Sequence, residues 1–120
     1  MEDKSSAYER LKDWILQLAG VTEALHRLGG TGFQVNGVEF MHSHGPSLLD
    51  VRLSKEEQAS ALKAGQALRH RAQVHAEAGW VSLRIEHSQD LANARSVIQL
   101  AYENAKKNAG RDSHENATGN

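Results

Sequence analysis

The sequence has no cysteine, which removes a disulfide framework, a thiolate zinc site and a cysteine nucleophile. It lacks an excess of either charge. Lysine plus arginine number 14 against 15 acids, for a net charge of −1, a balance that argues against a dedicated nucleic-acid binder. No apolar run approaches the roughly 18 residues that span a bilayer. Met1-Glu2-Asp3-Lys4 is charged and is followed by no apolar h-region, so no secretory signal is expected. Several chemical signatures are also missing. Gly29-Gly30-Thr31-Gly32 lacks the following Lys-Ser/Thr of a phosphate cradle and does not open a helix. No serine sits in a nucleophile elbow, no carboxylate pair suggests glycoside chemistry, and no internal repeat occurs.

What is present suits a folded globule. Apolar residues make up 39% of the chain and charged residues 24%, and 120 residues suit one domain. The expectation is a soluble, cytoplasmic protein with a single domain over residues 1–107. The segment after Lys107 has no apolar anchor and reads as a disordered tail over 108–120.

The patterning predicts the order helix, strands, helix, strands, helix. Ser6-Ala7-Tyr8-Glu9 has the capping-box form, and Leu11, Trp14, Ile15 and Leu18 make one apolar stripe ending near Gly20. Val21 to Arg27 is rich in β-formers. Phe33-Gln34-Val35 and Val38-Glu39-Phe40-Met41-His42 flank Asn36-Gly37, the strongest short hairpin signal. Gly45-Pro46 marks another turn, after which Leu49, Val51 and Leu53 alternate with Asp50 and Arg52. Ser54-Lys55-Glu56-Glu57 is a second capping box, opening a helix that stops at Gly65. Leu68 to Val74 is a charged strand candidate. Trp80 to Glu86 alternates again, and Ser88 is placed to cap a helix carrying Leu91, Ala94, Ile98, Ala101 and Ala105. The class is α+β: an antiparallel sheet of four to six strands with helices packed on one face.

Seven histidines in this chain supply the candidate chemistry. His42-Ser43-His44 puts two imidazoles on one side of a strand, about 7 Å apart at the backbone. Two such nitrogens can share a divalent metal. A third ligand must come from elsewhere, with His70, His75, Asp50 and Glu39 as candidates. If Val38 and Phe40 point into the core, an unbroken pleat sends His42 and His44 to the edge of that core. The alternative turns Met41 inward and both histidines outward, and a bulge near Gly45 would reverse the assignment. Asp50 either orients a neighbouring histidine or forms a solvated ion pair with Arg52. Arg69-His70-Arg71, with His75, Lys63 and Arg84, is either a phosphate or acidic-partner site or a solvated face. Trp80 falls on the polar side of its strand, as an exposed anchor or as cover for the second sheet face.

Gly20-Val21-Thr22-Glu23-Ala24, His26 to Phe33, Gly37 to Gly45, Leu48-Leu49-Asp50-Val51-Arg52-Leu53 and Gly79-Trp80-Val81-Ser82-Leu83-Arg84-Ile85 form an ordered series of motifs. Together they resemble the luciferase-domain family of small bacterial and fungal proteins. The resemblance covers roughly residues 15 to 106. It implies a shared fold and a shared histidine-lined site, with His42, His44, Asp50, His70 and Trp80 at the matching positions. The chain departs from the pattern at Arg69-His70-Arg71, where the family carries Pro-His-His. The family name supplies neither a reaction nor a substrate. The leading expectation is a binding domain for a small ligand or protein partner through His42, His44, Asp50, His70 and Trp80. A metal-assisted or acid/base enzyme, with His42, His44 and His70 on a divalent metal, is the alternative. A nucleic-acid module is the third reading, which the charge balance disfavours. An exposed sheet face bearing Trp80 would also suit a homodimer.

Overall fold

The computed structural model describes residues 4–25 and 30–117, with the side chains of residues 4–6, 25 and 109–117 outside that description. The helix that Ser6 was expected to cap already begins at Lys4, so Ser6 lies inside it; the expectations for His26 to Gly29 and for residues 118–120 fall outside the described residues.

The elements are α1 (Lys4–Leu16), β1 (Val21–Leu25), β2 (Thr31–Val35), β3 (Val38–Ser43), β4 (Leu48–Arg52), α2 (Lys55–Lys63), β5 (Leu68–Arg69), α3 (Gln73–Glu77), β6 (Trp80–Arg84) and α4 (Asp90–Ala117). The backbone of residues 108–117 continues α4. The strands form one six-stranded sheet in the order β1-β2-β3-β4-β6-β5, every neighbouring pair antiparallel. The class is α+β. No helix among the described residues is long and apolar enough to cross a membrane.

Local chemistry explains most of these elements. Asn36 and Gly37 both take positive φ, 53° and 82°, the pair of conformations a two-residue hairpin turn of matching twist requires. At α2, Ser54 Oγ accepts the Glu57 amide and Glu57 reaches back to the Ser54 amide, so both halves of the capping box form. Two elements differ from expectation. The strand candidate over Leu68 to Val74 is two strand residues followed by α3. The five-residue α3 has no side-chain cap and is too short to show a helical period. Asp90 also takes up the amides of Glu86 and His87, at 2.9 and 3.0 Å, ahead of α4.

The core lies between α1, α4 and one face of the sheet. Leu11 and Ile15 of α1 meet Phe33, Val35, Phe40, Met41, Leu49, Val51, Val81 and Leu83 of the sheet, with Ala94, Ile98, Ala101 and Ala105 of α4. That cluster uses the predicted α4 stripe and the predicted inward set of β4.

One irregularity decides which side of the sheet holds the histidines. Val35 pairs with Val38 and Gln34 with Glu39, but Phe33 pairs with Met41. Phe40 is therefore an extra residue on β3, a β-bulge. Phe40 and Met41, adjacent in sequence, are both buried in the core. Beyond the bulge the alternation is reversed. Met41 and Ser43 face the helices, with Tyr8 Oη of α1 donating to Ser43 Oγ at 3.1 Å. His42 and His44 face away. The unbroken pleat that follows from Val38 and Phe40 thus does not hold; the outward alternative does, and the bulge lies at Phe40, not Gly45.

Candidate functional site

The face opposite the helices is built by register. His42 of β3 sits across from Asp50 of β4, and Asp50 sits across from Ser82 of β6. Directly paired residues share a face, so imidazole, carboxylate and hydroxyl form one row. His44 follows His42 on the same side, where the chain turns and the His44 amide donates to Leu48 O at 2.9 Å. Just beyond β5, His70 brings a third imidazole over the row.

These side chains converge on one carboxylate. Asp50 is fully buried. Its Oδ2 lies 2.7 Å from His44 Nε2, 3.0 Å from His70 Nε2 and 3.2 Å from His42 Nε2. Its Oδ1 accepts Ser82 Oγ–H at 2.7 Å. Arg71 Nη2 stands 3.8 Å from the same Oδ2, on a side chain that is 56% exposed. Asp50 is therefore not a solvated partner of Arg52, whose Nε donates to Ala78 O at 3.4 Å.

The partners behind each ring set its protons. His70 Nδ1 accepts the Ala72 amide at 3.0 Å, which leaves the ring proton on Nε2, aimed at Asp50. His42 has carboxylates at both ends: Asp50 at Nε2, and Glu39 Oε1 3.3 Å from Nδ1. Burial pulls the His42 proton affinity down. The hydrogen bond and charge of Asp50, with Glu39 behind the ring, outweigh it, so the net shift is upward. Burial also opposes ionisation of Asp50, but bonds from His42, Ser82 and His44 prevail and hold its carboxyl well below the usual range. Gly32 makes room for Glu39, because a Cβ there would collide with the Glu39 carboxylate. Gly32 pairs with His42, so its missing side chain lies where Glu39 reaches that ring.

Trp80 is cover more than exposed anchor: it is 9% exposed, its ring 4.9 Å from that of His42 at a 44° tilt. His75 of α3 packs beside it, 5.2 Å from the His70 ring and 6.5 Å from Trp80, centroid to centroid. The short α3 thus closes the histidine face near β6. The way in lies at His44, whose side chain is 30% exposed, and at Arg71.

The array of His42, His44, Asp50 and Ser82 on neighbouring strands, closed by the Trp80 strand ahead of α4, lies within the segment that a family model for the luciferase domain matches, residues 37–101. The match covers more than half of the chain. The chain belongs to the luciferase-domain family. Among curated proteins no match is found. In this luciferase domain His42, His44, Asp50, His70 and Trp80 all lie in one neighbourhood, joined directly or through a shared partner. Arg69 lies on β5 at the sheet edge. Sequence reasoning missed Ser82 and Gly32 as members of the site. Ser82 is a small polar residue inside a buried strand, which was a signal, but its register against Asp50 spans three intervening elements.

Proposed function

We propose that this domain is a small-ligand-binding module organised around a divalent metal held by His42, His44 and Asp50. One observation carries the reading. A carboxylate oxygen has about two lone pairs, yet Asp50 Oδ2 faces three imidazole nitrogens. Nitrogen donors are thus in excess around one buried oxygen, the arrangement a cation would relieve. The donor atoms of His42, His44 and Asp50 all lie within 4.8 Å of one another. Metal bonds of about 2.0–2.2 Å put neighbouring ligand atoms roughly 3.4 Å apart in a tetrahedral set, so small side-chain movements suffice.

The surrounding groups support the same assignment. Metal-bound histidines usually donate their second nitrogen to a carboxylate, as His42 does to Glu39. His70 holds its proton on Nε2 toward Asp50, which suits an orienting partner, so Asp50 takes the third place that the sequence offered to His70. Ser82 fixes the other carboxylate oxygen. Remaining coordination positions would face His44 and Arg71, and a ligand oxygen bound there would be polarised by the metal.

A second reading rests on the short His44–Asp50 contact of 2.7 Å. A partly exposed imidazole oriented by a buried carboxylate is a general-base couple that needs no metal. Titration of untagged, chelator-stripped protein with Co2+ separates the two. The metal reading expects one equivalent bound, a visible absorption band of four- or five-coordinate cobalt, and loss of both in His42→Ala and in His44→Ala. Failure of Co2+, Zn2+ and Mn2+ alike to bind the folded protein would overturn it.

A further inference from the structure

A second feature lies toward the other end of β3 and β4, beside the C-terminal half of α4. A cleft of about 440 Å3 opens there, within the range of small-molecule pockets. Its floor is apolar: Val38, Phe40, Leu53, Ala101 and Ala105. Its rim carries three cations, Arg52, Lys55 and Lys107, and one acid, Glu39.

The charges on the rim are unequal in a useful way. Glu39 already faces His42, with Oε1 3.3 Å from the ring nitrogen. Lys55 Nζ donates to Ala76 O at 3.2 Å and Arg52 Nε to Ala78 O at 3.4 Å. Those acceptors are neutral, and among the described residues none of the three cations has a carboxylate partner. The first amides of α2 are engaged by its capping box, so the positive field comes from side chains. Apolar residues beneath a rim with more cations than acids, where Glu39 is turned to His42 and Glu57 accepts from Asn104, match a molecule of the reverse pattern.

We propose that this cleft binds an amphiphile with one anionic head group and a short aliphatic chain. The chain lies along Val38, Phe40, Ala101 and Ala105, and the head group meets Arg52, Lys55 and Lys107. This site shares Glu39 with the metal reading but does not depend on it.

The test titrates the full chain with decanoate, and with decanol and decyltrimethylammonium as uncharged and cationic counterparts of the same chain length. Methyl resonances of Ala101 and Ala105 report the location. Decanoate is expected to bind saturably at one site and to shift both methyls, with decanol at least tenfold weaker and the cation not competing. Lys107→Glu, at an exposed position, is expected to weaken decanoate about tenfold and leave decanol unchanged. Absence of saturable decanoate binding up to about 1 mM, where the free energy of binding is only about 4 kcal/mol, would overturn the proposal. So would equal affinity for all three amphiphiles, unmoved Ala101 and Ala105 methyls, or a Lys107→Glu variant that binds decanoate unchanged.

Discussion

Replacing Asp50 by Asn keeps the shape of the side chain and removes its charge. The carboxylate is fully buried and receives His42, His44, His70 and Ser82. Removing one member of a buried charged pair costs about 3–5 kcal/mol. The low end, about 3 kcal/mol, applies here because His44 and Arg71 keep one side of the cluster in water. For a chain of this length that corresponds to a fall in Tm of roughly 10 °C or more.

The pH dependence follows from the same contacts. The Asp50 carboxyl is depressed in the folded state, so its contribution is present above the unfolded value near 4 and is lost as pH falls through the folded value. His42 is raised, so its contribution is full below the unfolded value near 6.5 and is lost as pH rises through the folded value. Both are complete between about pH 4 and 6.5. Metal-free wild-type protein should therefore be more stable at pH 5.5 than at pH 8, and Asp50→Asn should lose most of that difference with the His42 partner gone. Urea unfolding in the presence of a chelator, followed by tryptophan fluorescence at both pH values, gives the two numbers. A cost below about 1 kcal/mol at pH 5.5, or an unchanged pH difference in the variant, would refute the reasoning.

Three further outcomes are expected. Gly32→Ala should fold, because Glu39 is a flexible side chain able to move, but displacing Glu39 from His42 should weaken metal binding by about 10–100-fold in a Co2+ titration. Gly79→Ala should cost about 2 kcal/mol in urea unfolding, since Gly79 has φ +104° and a Cβ would strike the Leu53 carbonyl. Trp80→Ala should cost about 3–5 kcal/mol and leave the His42 ring open to water, with calorimetry reporting the first effect and the His42 proton resonances the second.

Much of the architecture was legible because local chemistry enforces it. Asn36-Gly37 requires a turn, Ser54 and Glu57 require a helix start, and the alternation of Leu49, Val51 and Leu53 requires a strand with one buried face. The His42-Ser43-His44 step likewise follows from backbone geometry alone. The chain hid what depends on distant partners. Nothing near Asp50 says that Ser82 lies opposite, because α2, β5 and α3 intervene before β6. Nor does an isolated Asp50-Val51-Arg52 reveal that the aspartate is out of water while the arginine is in it. The reversal on β3 left a trace, the adjacent large apolar pair Phe40-Met41 in an otherwise alternating strand, but Val38 and Phe40 in step concealed it.

The extra residue at Phe40 gives the two halves of β3 independent parity. Residues before it take their facing from the Asn36-Gly37 turn; residues after it take theirs from the ladder with β4. A single insertion or deletion between Phe40 and His42 would be taken up at the bulge, and the ladder with β4 would still hold both imidazoles on the Asp50 face. A chain of the same fold without the extra residue would align with this one only across a one-residue gap at this point. Without it, a histidine in one chain would be matched to a core methyl group in another, and the site would vanish from the comparison while remaining in the molecules.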